Sequence, residues 1–257
     1  MLAGLFKAAL DDSLLRERLL PLKALEELAL SSAQPVDAER SLAKSSRMRL
    51  IAEIKRASPS KGDLAPIPDA AEQGAGYELA GADAISVLTE RTGFKGSLAD
   101  LKAVSAATKI PTLRKDFIST EYQLLEARAN GAAMALLILA GLAVPDYLRL
   151  KHFAEQIGLR VLVETHTETE IKVASDSGAK LIGINTRNLE TFKTDIGLFE
   201  RLALQLPEDC VRIAESSVKD VADVRRYRDA GADAVLVGEA LVTGDYRQLI
   251  PEFISVA

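Results

Sequence analysis

Leu50-Ile51-Ala52-Glu53-Ile54-Lys55 is an apolar run broken by two opposite charges, two residues apart. A β-strand turns successive side chains to opposite faces, so Glu53 and Lys55 share one face of the strand this run predicts. A buried charge without a partner is costly. The pair therefore calls for a reason: a structural ion pair, which is the plainer one, or an acid and a base at the end of a barrel strand.

Seven more short β-rich runs follow, so that strands are expected at 50–55, 84–89, 112–115, 134–139, 160–164, 181–185, 211–214 and 234–237. They recur at roughly the spacing of a βα unit, with helical patterns between them. Such alternation predicts a parallel sheet covered by helices. Gly-Ala stands before every second strand, at Gly81-Ala82, Gly131-Ala132, Gly178-Ala179 and Gly231-Ala232. Glycine there ends a helix in a left-handed conformation and turns the chain into the next strand. A repeat at alternate strands fits a closed eight-stranded barrel; an open doubly wound sheet has no need of it. The expected fold class is α/β, a (β/α)8 TIM barrel with an N-terminal helical extension.

The 257 residues suit one such barrel, read as a single domain 1–257 with the extension at 1–47 and the barrel at 48–257. In the extension, Leu2, Leu5, Phe6, Ala9 and Leu10 have amphipathic helical spacing, and a second helix is expected at 21–30. Residues 31–46 read as a polar linker. The extension could close the bottom of the barrel or overlie the substrate. Thr120 and Asp220 have the chemistry of helix N-caps.

Composition narrows the function. The chain is 48% hydrophobic and 27% charged, with a formal net charge of −5 and no dense basic block, which argues against a nucleic-acid partner. No apolar run is long enough to span a bilayer, and the first residues lack the features of a secretory leader, so the expected setting is cytoplasmic, with no membrane partner. Cys210, the only cysteine, reads as a small buried hydrophobe. With His152 and His166 the only histidines, a His/Cys metal site is not expected.

Barrel active sites lie at the C-terminal ends of the strands. In order, those ends carry Glu53, Lys55 and Arg56; Thr89 and Glu90; Arg114, Lys115, Asp116 and Phe117; Glu164; Asn185 with Arg187 and Asn188; Glu215, Ser216 and Ser217; and Gly238. Polar groups gathered at one end of most strands favour the catalytic reading of Glu53 and Lys55. Burial and neighbouring charges can bring lysines toward neutrality and raise glutamates, which suits acid–base work; a lysine Schiff base stays open. The loops after strands seven and eight are the usual phosphate site, here Ser216, Ser217 and the backbone near Gly238, with Lys55 adding charge from below. Ala57-Ser58-Pro59-Ser60-Lys61-Gly62 reads as a long loop of the kind that forms a lid. Phe94 and Phe117 suit either ordinary packing or an apolar wall for an aromatic substrate.

These stretches resemble the indole-3-glycerol phosphate synthases. The most specific are Ile51-Ala52-Glu53-Ile54-Lys55-Arg56-Ala57-Ser58-Pro59-Ser60-Lys61-Gly62 and Leu113-Arg114-Lys115-Asp116-Phe117. Gly183-Ile184-Asn185-Thr186-Arg187-Asn188-Leu189, Ala214-Glu215-Ser216 and Val237-Gly238-Glu239 support them. The resemblance implies ring closure, decarboxylation and dehydration of 1-(2-carboxyphenylamino)-1-deoxyribulose 5-phosphate, with no cofactor and no metal. It implies Lys115 as the acid of ring closure, Lys55 in substrate contact and dehydration, Glu164 or Glu53 as base, and Asn185 and Glu215 as orienting groups. Ser58 would lie near the anthranilate carboxylate, Arg187, Ser216, Ser217 and Gly238 around the phosphate, and Phe94, Phe117 and Leu189 against the aryl ring. The expected partner is this small molecule. A monomer is expected, with docking to another tryptophan-pathway enzyme open. Ser217 departs from the family, which usually has glycine there; Thr186, where asparagine or serine is common, is expected to matter little. The alternatives are another phosphate-binding barrel, such as phosphoribosylanthranilate isomerase with its Cys/Asp pair, or an inactive barrel that serves as a binding partner.

Overall fold

The computed structural model describes residues 1–257. Eight strands form the barrel: β1 (Arg49–Ile54), β2 (Ala84–Leu88), β3 (Thr112–Lys115), β4 (Met134–Ile138), β5 (Arg160–Thr165), β6 (Leu181–Asn185), β7 (Val211–Glu215) and β8 (Ala234–Val237). All pair in parallel, and β1 closes the ring by pairing with both β2 and β8. Parallel strands covered on both faces read as continuous apolar runs, which is why all but a few of these residues are buried.

Strand parity separates two cores. Leu50, Ala52 and Ile54 of β1 face outward into the large shell between strands and helices. Ile51 faces inward, with Leu113, Met134, Leu136, Leu162, Ile213 and Leu236, to fill the barrel. The lower interior is thus apolar, and the uppermost layer is where the charged ends emerge.

The helices are α1 (Leu2–Leu19), α2 (Leu22–Ser31), α3 (Ala38–Leu42), α4 (Ala70–Ala80), α5 (Leu98–Ala107), α6 (Glu121–Ala129), α7 (Val144–Gln156), α8 (Glu168–Asp176), α9 (Gly197–Leu202), α10 (Val221–Asp229), α11 (Glu239–Thr243) and α12 (Tyr246–Ile254). None is long and apolar enough to cross a membrane. Thr120 caps α6 in a reciprocal capping box with Gln123, and Asp220 caps α10. The four repeated glycines, Gly81, Gly131, Gly178 and Gly231, all have positive φ, the conformation their place in the sequence required.

Residues 1–48 travel from one end of the barrel to the other. α1 lies at the C-terminal end of the strands, where Phe6 meets Phe117 edge-on with ring centroids 5.5 Å apart. Gly141, beyond β4, lets Phe6 approach so closely that a Cβ there would collide with its ring. Arg16 pairs with Glu126 of α6, and α2 packs along α6. Arg128 then holds the carbonyls of Ser32 and Ala33. Residues 31–46, expected as linker, instead contain α3, whose Ala38 and Leu42 are fully buried against the barrel interior. Glu39 pairs with Arg160 at the start of β5, so α3 plugs the N-terminal end. The extension therefore serves both ends, α3 as a plug and α1 beside the mouth.

Candidate active site

Each predicted site residue lines one cavity of about 860 Å³ at the C-terminal end of the barrel: Glu53, Lys55, Ser58, Phe94, Lys115, Phe117, Glu164, Asn185, Arg187, Leu189, Glu215, Ser216, Ser217 and Gly238. Not every polar strand end joins it. Arg114 is fully buried on the outer face, bound to Asp116, Glu126 and Thr89. Arg56 is bidentate to Asp100, and Glu90 accepts the backbone N–H groups of Thr92, Gly93 and Phe94. These three hold loops together.

On the floor, Glu53 of β1 and Lys55, the residue just past the end of that strand, pair at 2.8 Å on the face they share by parity. From β3, Lys115 Nζ donates to Glu215 of β7 at 2.6 Å and to Glu164 of β5 at 3.3 Å. Asn185 of β6 is fixed on both sides of its amide: Nδ2 donates to Glu164 at 3.0 Å, while Oδ1 accepts from Ser216 Oγ at 2.8 Å and the Arg187 N–H at 3.0 Å. Two glycines make this layer possible. A Cβ on Gly183 would collide with Glu215 Oε1, and one on Gly238 with Glu53 Oε1.

One lysine between two buried carboxylates leaves a surplus negative charge, and a proton near neutral pH relieves it. Burial pushes the Glu215 carboxyl up to about 7, with Lys115 pulling it down and Glu164 adding to the rise. Its Oε1 is buried without a partner. Burial acts on Glu164 in the same sense, but Lys115, His166 and Asn185 outweigh it and hold Glu164 below the usual carboxylate range. For the lysine the neighbouring charges win over burial. Burial disfavours its charge, yet Glu215, Glu164 and Glu53 hold its pKa well above the ordinary lysine value, not near neutrality. Lys115 is thus a cation and a proton donor, and a Schiff-base nucleophile would first have to lose that proton.

The upper wall is apolar. Phe94 and Phe117 have ring centroids 6.1 Å apart, and Leu189 and Leu5 complete the surface. Leu5 was within reach of the sequence, since its spacing from Leu2 and Ala9 marked a buried helix face. His166 follows β5 at the parity of Glu164, with Nε2 3.5 Å from that carboxylate and Nδ1 3.6 Å from Glu170. Period two from Glu164 would have found it. The loop after β1 forms a short hairpin, Ala57–Ser58 against Gly62–Asp63, and Lys61 pairs with Glu239 across the mouth.

At the loop after β7, the Ser216 and Ser217 hydroxyls are taken by protein partners, Asn185 Oδ1 and Thr186 Oγ1. The backbone N–H groups of Ser217, Val218 and Gly238 have no acceptor within the protein. Peptide N–H groups of this wall are thus free for an anion, and Arg187 and Lys219 line the same cavity. Cys210 lies before β7, at the opposite end from the cavity, where its thiol donates to the Pro207 carbonyl. No cysteine-based acid–base pair forms in the site.

The sequence pattern that defines the indole-3-glycerol phosphate synthases matches residues 12–253. The chain belongs to the indole-3-glycerol phosphate synthase family. It is 51% identical to the indole-3-glycerol phosphate synthase of Leifsonia xyli over 256 residues, covering 100% of this chain and 98% of the relative. That of Streptomyces griseus is 50% identical over 241 residues, covering 93% of this chain and 89% of the relative. That of Mycolicibacterium gilvum is 46% identical over 256 residues, covering 99% and 94%. In fold alone, the chain resembles a thiamine phosphate pyrophosphorylase from Pyrococcus furiosus, at a TM-score of 0.63 and 14% identity over 86% of this chain and 97% of that one.

Proposed function

We propose that the chain is a carboxy-lyase that converts 1-(2-carboxyphenylamino)-1-deoxyribulose 5-phosphate to indole-3-glycerol phosphate, CO₂ and water. The observation that carries this reading is the position of Lys115, a cation held between Glu164 and Glu215 on the floor of a cavity with one apolar and one anion-binding wall. The substrate needs those three surfaces: its aryl ring an apolar wall, its phosphate unpaired N–H groups and a cation, and its carbonyl a proton donor.

In this assignment the aryl ring packs against Phe94, Phe117 and Leu189, with Ser58 near its carboxylate, while the phosphate meets Ser216, Ser217, Gly238 and Arg187. The ring carbon bearing the carboxylate attacks the ribulose carbonyl carbon, and Lys115 gives a proton to the carbonyl oxygen as it becomes a hydroxyl. Loss of CO₂ leaves its electron pair to restore the aromatic ring. Lys55 then protonates the hydroxyl, which leaves as water, while a carboxylate removes the proton whose loss completes the indole. We assign that role to Glu164, which Lys115, His166 and Asn185 keep ionised beside the proton-donating lysine. Asn185 orients Glu164, and Glu215 orients Lys115.

Mixing the purified chain with this substrate in the presence of a metal chelator should produce indole fluorescence and one CO₂ per product. Substrate binding without product would reduce the chain to a binding barrel. Absence of binding would reject the assignment in favour of another phosphate-binding barrel.

A further inference from the structure

Ser216 and Ser217 have φ values of 71° and 67°. Two successive L-residues in the left-handed region are strained, and such a turn persists only where its surroundings over-determine it. Here the surroundings are two hydroxyls from outside the loop, and their protons can be accounted for. Ser217 Oγ donates to Thr186 Oγ1 at 2.7 Å, and Thr186 Oγ1 passes its own proton to the Glu215 carbonyl at 2.9 Å. Tyr227 donates its hydroxyl to the Ser216 carbonyl at 3.2 Å, and its oxygen lies 3.1 Å from Thr186 Oγ1. The Glu215 carbonyl that leads into the strained turn and the Ser216 carbonyl within it are thereby held by side chains. Thr186 and Tyr227 are buried and neither lines the cavity, whereas Ser217 and Val218 do.

We propose that Thr186 and Tyr227 are positioning residues for substrate phosphate. They clamp the Ser216–Ser217 turn so that a serine, and not only a glycine, can present the free N–H groups of residues 217 and 218 to the anion. The Ser217 hydroxyl is part of the clamp and does not contact the phosphate. This inference rests on the proposed function for the identity of the substrate. It also corrects the expectation that Thr186 matters little, since the two departures from the family pattern are hydrogen-bonded to each other.

The test compares Ser217→Ala, Ser217→Gly, Thr186→Val and the Thr186→Val/Ser217→Gly double variant. It reads KM and kcat for the aryl-aminodeoxyribulose phosphate and, separately, the Kd for inorganic phosphate. Ser217→Ala keeps the strain and loses the clamp, so it should raise KM about fivefold, the worth of one hydrogen bond, with the change in KM exceeding that in kcat. Ser217→Gly removes the strain and should lower KM, by about twofold. Thr186→Val should raise KM about fivefold alone and less than about twofold beside Ser217→Gly, because glycine needs no clamp. Equal rises for Ser217→Ala and Ser217→Gly would mean that the hydroxyl itself holds the phosphate, and would overturn the proposal. So would a Thr186→Val effect of the same size in both backgrounds. A wild type that does not turn over rejects the functional reading instead, and the same ordering in Kd for inorganic phosphate still decides the clamp.

Discussion

Glu215, Lys115 and Glu164 form a triad whose charges do not balance, and its proton has a consequence for stability. The folded state holds the Glu215 carboxyl at about 7, above its ordinary value. Between roughly pH 4.3, the usual glutamate value, and that point, the folded chain keeps a proton that the unfolded chain has lost. This contribution to stability is fully present below the unfolded value and is lost as pH rises through the folded one. Glu215→Gln removes the titration. The wild-type Tm should therefore fall relative to that of the variant as pH rises from about 4.3 to 8, with most of the change complete just above pH 7. Parallel Tm curves would show that Glu215 is not the group that carries the proton. Parity made Glu53 and Lys55 legible as a pair, because both sit on one strand. The partner of Lys115 was not legible, since Glu215 lies 100 residues away and only closure of the barrel brings them together.

At the scale of elements, the two ends of the N-terminal extension should behave differently. Leu42 of α3 is fully buried in the plug, far from the cavity. Leu42→Ala should cost about 2–5 kcal/mol of stability, as large-to-small changes in a core do. It should leave KM near the wild-type value. Phe6 of α1 packs on Phe117, itself a wall of the cavity. Phe6→Ala should raise KM about fivefold, from the loss of roughly 1 kcal/mol of aromatic support for that wall. Steady-state kinetics beside thermal unfolding separates the two. A rise in KM with Leu42→Ala and none with Phe6→Ala would reverse the assignment of the ends. The plug escaped the sequence reading for a physical reason. α3 is a single turn capped by Asp37, and one buried pair four apart, Ala38 and Leu42, is too short to show a period against the polar residues around it. α1 declared itself because its apolar face repeats over several turns.

For the whole molecule, the fold was legible because two signals of different range agree: the parity within each strand and the glycine repeat between them. Gly81, Gly131, Gly178 and Gly231 take the left-handed conformation because each ends one βα unit, and their regular placement reports the symmetry of the barrel. The site was legible as a list because a parallel barrel brings all its strand ends to one face. What the list lacked was the charge state, which depends on burial and on which groups meet. Burial alone would bring Lys115 toward neutrality; flanking carboxylates instead hold it charged. That cation is the proposed acid of ring closure, and Lys115→Met removes it. The variant should fold, bind the aryl-aminodeoxyribulose phosphate and give no indole fluorescence above background. Turnover by Lys115→Met near the wild-type rate would rule Lys115 out as that acid.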